Sequence, residues 1–313
     1  MLIFTIRRLG SGLVLLVAIT IVTYSLLYFS SMSIARNILG EQASDEQIAL
    51  KEQELGLDQP LPLRFLGWAS SALVGDLGTS WFNGQSVTGA LLSRAPVTLT
   101  LMITSIIIVA LLAACLGTLA AVRRGWIDRV VQVGAVIGDA IPGFIVAIAL
   151  VTFFAIELRW FPAVSTIGPG SGPSAWVASL TLAAIAIILN YVTSSAQQFR
   201  SAVIKELEKD YVRTLRSRGL GEREILIKHV LRSAAPAGLT VLSLQFIGLL
   251  GGIVIIERVF AIPGIGAMAV NATVLGDIPL VMGVVLFTVL MVIVVNLLVD
   301  LAVGALNPKA RLS

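Results

Sequence analysis

Six long runs of apolar residues dominate this sequence and limit what it can fold into. A transmembrane helix needs about 20 predominantly apolar residues, and six runs suit that length: Leu9–Phe29, Val97–Val122, Val130–Ile156, Val177–Ala196, Ala237–Ile256 and Leu280–Val299. Of the 313 residues, 57% are hydrophobic and 13% are charged, whereas soluble domains contain roughly 25% charged residues. A soluble fold could not bury this much apolar surface, so the sequence predicts an all-α integral membrane protein with six transmembrane helices.

Basic residues are distributed unevenly between the two sides of these predicted helices. With the N-terminus inside, 16 of the 22 Lys and Arg residues fall in cytoplasmic segments and 6 in external ones. Cytoplasmic loops carry an excess of Lys and Arg, so both termini are predicted to be cytoplasmic. The net charge of +4 then follows from the membrane topology, and no nucleic-acid partner is expected.

The apolar runs divide the chain into four parts. They are an N-terminal cytoplasmic end with the first transmembrane helix (1–30), an external segment (31–95), a core of five transmembrane helices that includes a cytoplasmic loop at 200–236 (96–306), and a cytoplasmic tail (307–313). In the external segment, Ser44–Gln47 is a capping-box pattern and Gly56 suits the C′ position. A short helix near Asp45–Leu55 is therefore predicted, with Pro60 and Pro62 ending it.

The segment Glu206–Pro236, called here the basic hairpin, is the most basic part of the chain. Apolar residues recur every four positions in its first part, as expected for one face of a helix: Val203, Leu207, Tyr211 and Leu215. Gly219 and Gly221 interrupt this pattern, because glycine readily adopts the positive φ of a helix C-cap and turn. The pattern predicts two amphipathic helices around a glycine turn, with Pro236 starting the next helix.

One charged residue, Asp139, lies within a predicted span. An ionised carboxylate at the bilayer centre costs at least about 2.5–3.5 kcal/mol, so it is predicted to face the bundle interior or water. Two roles stay open: anchoring to Asn190, Gln245 or a partner subunit, and contact with a positively charged end of a transported molecule. Three residues later, Pro142 frees a backbone carbonyl and can kink the helix.

Nucleotide-binding and catalytic motifs are missing from the sequence. It lacks the phosphate-binding loop G-x-x-x-x-G-K-[ST], so the chain is not expected to hold ATP itself. The single histidine, His229, lies in the basic hairpin with no second His or Cys near it in sequence and is expected to be a surface residue. No catalytic, cofactor-binding or metal-binding residue is predicted.

From Asp210 the basic hairpin reads DYVRTLRSRGLGEREILIKHVLR, which resembles the cytoplasmic loop of ABC-importer permeases of the dipeptide/oligopeptide/nickel group. In such permeases this loop docks into a cleft of a separate ATPase subunit. The resemblance implies that the ATPase-coupling residues are Asp210, Tyr211, Arg213, Thr214, Arg216, Gly219, Leu220 and Glu222.

Two further regions of the chain also carry the resemblance. Together with the basic hairpin, the matching residues extend from about Glu54 to Arg311. ELGLDQPLPLRFLGW and GDLGTSWFNGQSV, within 54–87, are similar to the external lid that faces the substrate-binding protein in the first membrane subunit of peptide importers. ERVFAIPGIG from Glu257 is similar to the E-x-V-F-x-x-P-G-x-G element of the same permeases. This element is either a re-entrant turn at the membrane surface or part of an external gate. The candidate pathway or gate residues are Asp139, Pro142, Glu257, Phe260, Pro263 and Gly264.

The family implies a fold, a location and partners. The fold would be the type I ABC importer permease fold, in a multi-pass, non-enzymatic subunit of a bacterial inner (plasma) membrane. Its partners would be a second homologous permease subunit, two ATP-binding-cassette ATPase subunits that bind ATP and Mg, an extracytoplasmic binding protein and membrane lipid. Peptides are the favoured cargo, and nickel complexes, glutathione or another small conjugate stay open.

Two other classes of protein compete with this interpretation: a stand-alone ion-coupled secondary transporter, and a membrane scaffold or enzyme. Six spans are few for a secondary transporter that works alone. A single intramembrane acidic residue is also weak support for a pathway that relays ions. Neither class explains a large basic hairpin facing the cytoplasm. Copurification of ATPase subunits would separate the importer from both.

The predicted topology can be tested with single cysteines in a chain whose Cys115 is replaced by alanine. Cysteines at Ser44 and Ser171 should react with an impermeant thiol reagent in intact cells, and a cysteine at Ser217 only after permeabilisation. Labelling at Ser217 in intact cells would reverse the orientation.

Overall fold

A computed structural model describes residues 2–30, 34–40, 42–123 and 125–306. These residues form helices and one isolated bridge between Thr79 and Ser86, with no extended sheet, which confirms the predicted all-α class. The helices are α1 (Leu2–Ser30), α2 (Ile34–Leu39), α3 (Asp45–Glu54), α4 (Leu61–Leu73), α5 (Val87–Val122), α6 (Trp126–Ala140), α7 (Gly143–Leu150), α8 (Pro173–Leu207), α9 (Asp210–Ser217), α10 (Glu222–Glu224), α11 (Leu231–Val259), α12 (Ile265–Leu275) and α13 (Ile278–Leu306). A π-helical segment, Val151–Glu157, continues α7, and a second, Ile225–Val230, joins α10 to α11. The predicted tail at 307–313 lies outside the described residues.

Five helical stretches within these residues are long and apolar enough to cross a membrane. The third predicted span is instead a broken pair, in which α6 and the helix that begins with α7 differ in direction by 93°. The expected kink is a complete break, because Pro142 has no N–H and the residue before a proline avoids helical geometry. Ile141 accordingly has an extended backbone, with φ −96° and ψ 115°. The chain reaches the predicted six spans when this pair counts as one.

The chain forms two compact units. The first contains Met1–Thr5, Leu99–Ile262 and Val295–Ser313, and the second contains Ile6–Thr98 and Pro263–Val294. Most of α8, α11 and the basic hairpin therefore belong to the first unit, and α1, α4 and α12 belong almost wholly to the second.

Close packing of small residues against α8 organises the first unit. A Cβ atom added at Gly117 of α5 would lie 2.7 Å from the carbonyl oxygen of Ala196 in α8, so the two backbones touch. A Cβ atom added at a glycine of three other helices would lie as close to an α8 side chain. These pairs are Gly138 with Thr193, Gly143 with Asn190, and Gly238 with Phe199. Lipid is as apolar as the helices, so membrane helices associate through such close contacts rather than through the hydrophobic effect.

A cluster of aromatic residues and one buried carboxylate organise the second unit. Tyr24 of α1 and Met282 of α13 are buried, and half-buried Phe65, Trp68 and Trp81 pack against them. Asp277, only 1% exposed, precedes α13 and accepts hydrogen bonds from the Ser80 hydroxyl and from the backbone N–H of Trp81 at 3.3 Å. The loop at 80–81 is thereby fixed to the start of α13.

The helix predicted near Asp45–Leu55 is confirmed as α3, and its capping box is formed. The Gln47 N–H donates to Ser44 Oγ at 3.3 Å, and the Ser44 N–H donates to Gln47 Oε1 at 3.0 Å. Gly56 has φ +65°, as predicted for its position after the helix. The prediction for the prolines was wrong: Pro60 is the N-cap residue of α4 and Pro62 lies in its first turn. Proline suits these positions because its missing N–H would have no helical partner there.

The contact between α5 and α8 predicts a sharp difference between two glycine substitutions. Gly117→Ala places a methyl group against the α8 backbone and should lower the free energy of unfolding by about 1–3 kcal/mol. Gly251→Ala in α11 is the matched control, because its added Cβ would meet no atom within 4 Å. Alanine favours helix over glycine by up to about 1 kcal/mol, so the control should keep or gain stability. Thermal unfolding in detergent measures both, and equal effects would show that the contact contributes nothing.

Candidate functional site

The basic hairpin contains two helical arms joined by a glycine turn, as predicted. The first arm is α9, and Gly219 follows it with φ +82°. The second arm begins as α10 and continues through the π-helical segment Ile225–Val230 into α11. Because a π-helix closes its hydrogen bonds over one residue more than an α-helix, this segment shifts the register between the hairpin and the span that follows.

Two details of the hairpin correct the sequence interpretation. The apolar stripe from Val203 to Leu215 does not lie on one helix, because α8 ends at Leu207 and Lys209 is extended, with φ −71° and ψ 149°. Pro236 does not begin a helix; it lies inside α11. Proline lacks an N–H, so α11 continues past it with one backbone hydrogen bond fewer.

An apolar core joins the hairpin to three long helices. Its buried residues come from both hairpin arms and from α5, α8 and α11: Ala121, Val203, Val212, Ile225, Val230 and Ala234. Tyr211, Leu215 and Leu220 are half-buried and pack against this core. Protein interiors are close-packed and transmit displacement, so movement of the hairpin must move the ends of these three helices.

The opposite face of the hairpin is polar and exposed. The side chains of Asp210 and Arg213 are 95% and 76% exposed. Arg216 spans the glycine turn and binds Glu222 with both ends of its guanidinium group, Nε–Oε1 at 2.6 Å and Nη2–Oε2 at 3.0 Å. The hydrogen bonds that Arg216 donates to the Glu222 carboxylate raise the pKa of Arg216, which therefore stays charged. This bidentate pair ties α9 to α10 across the turn.

All eight predicted coupling residues lie on the basic hairpin. Six of them are exposed: Asp210, Arg213, Thr214, Arg216, Gly219 and Glu222. Tyr211 and Leu220 instead pack on the hairpin core, and the Tyr211 hydroxyl donates to Glu206 at 3.2 Å. Burial raises the pKa of Tyr211, so its hydroxyl stays a donor at neutral pH. An open recess of about 600 Å³ adjoins the exposed face and is lined by Arg213, Arg216 and Glu222 among others.

Asp139 is exposed at the end of α6, one residue before the last residue of that helix. It forms no hydrogen bond or ion pair with any residue in the described part of the chain, so the expected anchor to Asn190 or Gln245 is not made. Gln245 instead donates to Ser194 Oγ at 3.3 Å. Among the described residues, Asp139 is therefore a carboxylate without a partner, next to the helix break.

A cavity of about 340 Å³ lies at this helix break. Pro142, Gly143 and Phe144 line one side, and residues of α8 and α11 line the rest, including Asn190, Tyr191, Leu249 and Gly252. The Asn190 amide and the Tyr191 hydroxyl form no hydrogen bond with another described residue. The cavity therefore offers a mainly apolar wall with two free polar groups.

The predicted turn after the fifth span lies between α11 and α12. Glu257 is fully buried in the last turn of α11, and buried Phe260 accepts a hydrogen bond from the Ser165 N–H at 2.9 Å through its carbonyl. In the second unit, Pro263 is half-buried and Gly264 precedes α12, a helix that the apolar pattern did not reveal. The Ile265 N–H at the start of α12 donates to Thr98 Oγ1 at 2.9 Å.

Sequence reasoning missed two polar contacts that fix loops to helices. In the second unit, Asp277 holds the loop at Ser80; an Asp followed by Ile-Pro and an apolar run is an N-cap signal that could have identified it. In the first unit, Asp128 pairs with Arg200 Nη2 at 2.7 Å and so fixes the first turn of α6 to α8. These partners are 72 residues apart, and no local pattern links them.

Known proteins resemble the chain over almost its whole length. Residues 106–312 match the family described as binding-protein-dependent transport system inner membrane component, and residues 1–102 match the N-terminal family of the same membrane components. A probable peptide ABC transporter permease of Sinorhizobium fredii is 32% identical over 99% of both chains. A putative peptide transport system permease of Brucella abortus is 33% identical over 98% of both, and the glutathione transport system permease GsiC of Salmonella choleraesuis is 36% identical over 99% of both.

These matches include the basic hairpin, the helix break and the turn after α11, and they confirm the resemblance drawn from those residues. A multi-pass helical chain whose hairpin core is shared by three long helices fits the architecture of such a membrane component. The chain therefore belongs to the family of binding-protein-dependent transport system inner membrane components.

Proposed function

We propose that this chain forms one half of the translocation pathway for peptides in an ATP-driven importer of a bacterial inner membrane. The chain is a permease subunit of the ABC importer class. In the proposed complex, an extracytoplasmic binding protein delivers the peptide to a pathway formed with a second homologous permease subunit. The observation that carries the proposal is the apolar core that the basic hairpin shares with α5, α8 and α11.

That core supplies a route from an ATPase to the pathway. The exposed polar face of the hairpin would dock on one of two ATPase subunits, which would bind ATP and Mg and carry out the hydrolysis. Movement of the hairpin would then shift the ends of α8 and α11, the two helices that line the cavity at Pro142. The uneven distribution of Lys and Arg supports this orientation, with the hairpin and both termini in the cytoplasm.

Peptide is the first cargo to test, since two of the related permeases are named for peptide transport. Glutathione is the second, because a relative of 36% identity is named as a glutathione permease. Membrane vesicles containing the full complex should take up a labelled tripeptide, and unlabelled cargo should compete. Stronger competition by glutathione than by tripeptides would identify glutathione as the cargo. Uptake without any copurifying ATPase would contradict the proposal that the chain belongs to an ATP-driven importer.

The glycine turn of the hairpin provides a matched pair of substitutions. Gly219 has φ +82° and Gly221 has φ −67°, and a Cβ at either position would meet no atom within 4 Å. Gly219→Val forces a β-branched residue into the left-handed region, at a cost of about 1–2 kcal/mol. We expect this variant to lose peptide uptake and stimulation of ATPase activity by loaded binding protein, while Gly221→Val keeps both.

Yield and subunit ratio of each purified complex must be compared first, because misassembly would also abolish uptake. Normal stimulation and uptake in a fully assembled Gly219→Val complex would remove the hairpin turn from the coupling role.

Asp139→Asn tests whether the free carboxylate meets the cargo. Asp139 has no partner in the described chain, so the substitution should leave thermal stability unchanged. Uptake of peptides with a free amino terminus should fall by about tenfold, equivalent to about 1.4 kcal/mol, and N-acetylated analogues should be affected less. An equal loss for every peptide together with lower stability would instead indicate an anchor to the partner subunit.

A further inference from the structure

The helix α4 packs against the outer end of the first transmembrane helix. Tyr24 of α1 contacts Phe65 and Trp68 of α4, with ring centroids 5.5 and 6.1 Å apart. One turn further along α1, the Tyr28 hydroxyl donates to the carbonyl of Gln59 at 3.4 Å. The apolar span of α1 ends at Phe29, so these contacts place α4 where the hydrocarbon of the bilayer gives way to lipid headgroups.

The side of α4 that faces away from α1 is exposed and apolar. Four large side chains form it: Leu63 and Leu66 are each 62% exposed, Leu73 is 90% and Val74 is 83% exposed. Residues three, seven and ten positions apart fall on one face of a helix. A helix with such a face, held at the end of a span, has the character of helices that lie in the membrane interface.

A small cavity beside this face of α4 contains hydrogen-bond donors that no described residue accepts from. It measures about 260 Å³ and is lined by Leu63, Tyr24, Arg64, Trp68 and Trp81 among others. Arg64 Nη1 and Trp68 Nε1 are both buried and have no hydrogen-bond partner among the described residues. The two residues are four positions apart, which places them one above the other on α4.

The charge of Arg64 is held in place by aromatic rings rather than by an acid. Its guanidinium carbon lies 5.4 Å from the centroid of the Tyr28 ring and 6.0 Å from that of the Trp81 ring. No carboxylate among the described residues pairs with it. Cation–π contacts orient the guanidinium group but leave N–H donors available for an anion.

We infer that this cavity binds the phosphate of a phospholipid headgroup, while the Leu63–Val74 face of α4 enters the outer leaflet. Phosphate oxygens accept several hydrogen bonds and match the planar donor array of Arg. Trp and Tyr are enriched at the level of the headgroups, where an indole N–H can bind polar lipid atoms. The apolar face beside the cavity selects a lipid over an acidic side chain of the binding protein, because only a lipid supplies both an oxyanion and acyl chains.

The test is binding of dioleoylphosphatidylglycerol to the complete complex, purified in dodecyl maltoside and titrated by native mass spectrometry. Arg64→Gln should weaken the tightest lipid-binding event by about tenfold, because it removes a charge-assisted contact. Trp68→Phe, which keeps the ring and removes the N–H, should weaken it by about threefold, the size of one neutral hydrogen bond. Arg36→Gln and Trp160→Phe are the matched controls, since both residues are exposed and lie outside this cavity.

Two comparison ligands identify what is recognised. Dioleoylglycerol has the same acyl chains without phosphate and should bind at least tenfold more weakly, and inorganic phosphate alone should not compete. Equal binding of dioleoylglycerol, or full competition by inorganic phosphate, would overturn the headgroup site. So would unchanged lipid binding in Arg64→Gln together with weaker affinity for the binding protein, since the cavity would then hold a protein carboxylate. If Arg64→Gln fails to assemble, the Trp68→Phe variant and the ligand comparison on the wild-type complex decide whether the cavity binds a lipid headgroup.

Discussion

Contact between glycine residues and α8 holds the first unit together where the hydrophobic effect cannot. The backbone of α5 meets that of α8 at Gly117 and Ala196, and Gly138, Gly143 and Gly238 bring three more helices equally close. With α8 fixed by its neighbours on several sides, its C-terminal end can serve as a firm attachment for the hairpin. The cavity at Pro142 depends on the same contacts, because Gly143 lets the start of α7 lie against Asn190.

The basic hairpin has one buried face and one exposed face, and the proposed function gives each face a separate role. Val212, Ile225 and Val230 are fully buried and attach it to the long helices. Its exposed side chains, such as Arg213 and Arg216, can be exchanged at little cost to folding, since surface pairs contribute only about 0–1 kcal/mol. In the proposed importer, the partner would therefore be recognised by residues that the fold itself does not require, whereas the buried residues of the hairpin core would pass on its movement.

Local patterns were sufficient for the parts of this fold that local physics determines. Long apolar runs revealed the spans, Ser44 and Gln47 revealed a capping box, and Gly219 revealed a turn. The helix break at Pro142 was recognised as a weak point, but its 93° bend depends on packing against α8. The burial of Asp277 likewise depends on contact with a residue far away in the sequence, Ser80, which no local pattern reveals.

Candidate site residues were predicted with uneven success for a related reason. The hairpin residues are contiguous in sequence, so they necessarily lie together, and a resemblance over one stretch captured all of them. Asp139 was expected to face the bundle interior or water because it lies in an apolar run, and the structure places it, exposed within its own chain, near the end of a helix that stops at a break. The free polar groups at the break, Asn190 and Tyr191, come from a different helix, and no sequence spacing connects them to Pro142.

The π-helical segment Ile225–Val230 determines which way the basic hairpin faces. Were its six residues wound as an ordinary α-helix, every residue before them would be turned by about 100° relative to α11. Ile225 and Val230 are both fully buried, so such a rotation would carry apolar side chains to the surface and polar ones into the core. The orientation of the exposed face of the hairpin therefore depends on how this segment is wound, and not only on the residues that the face presents.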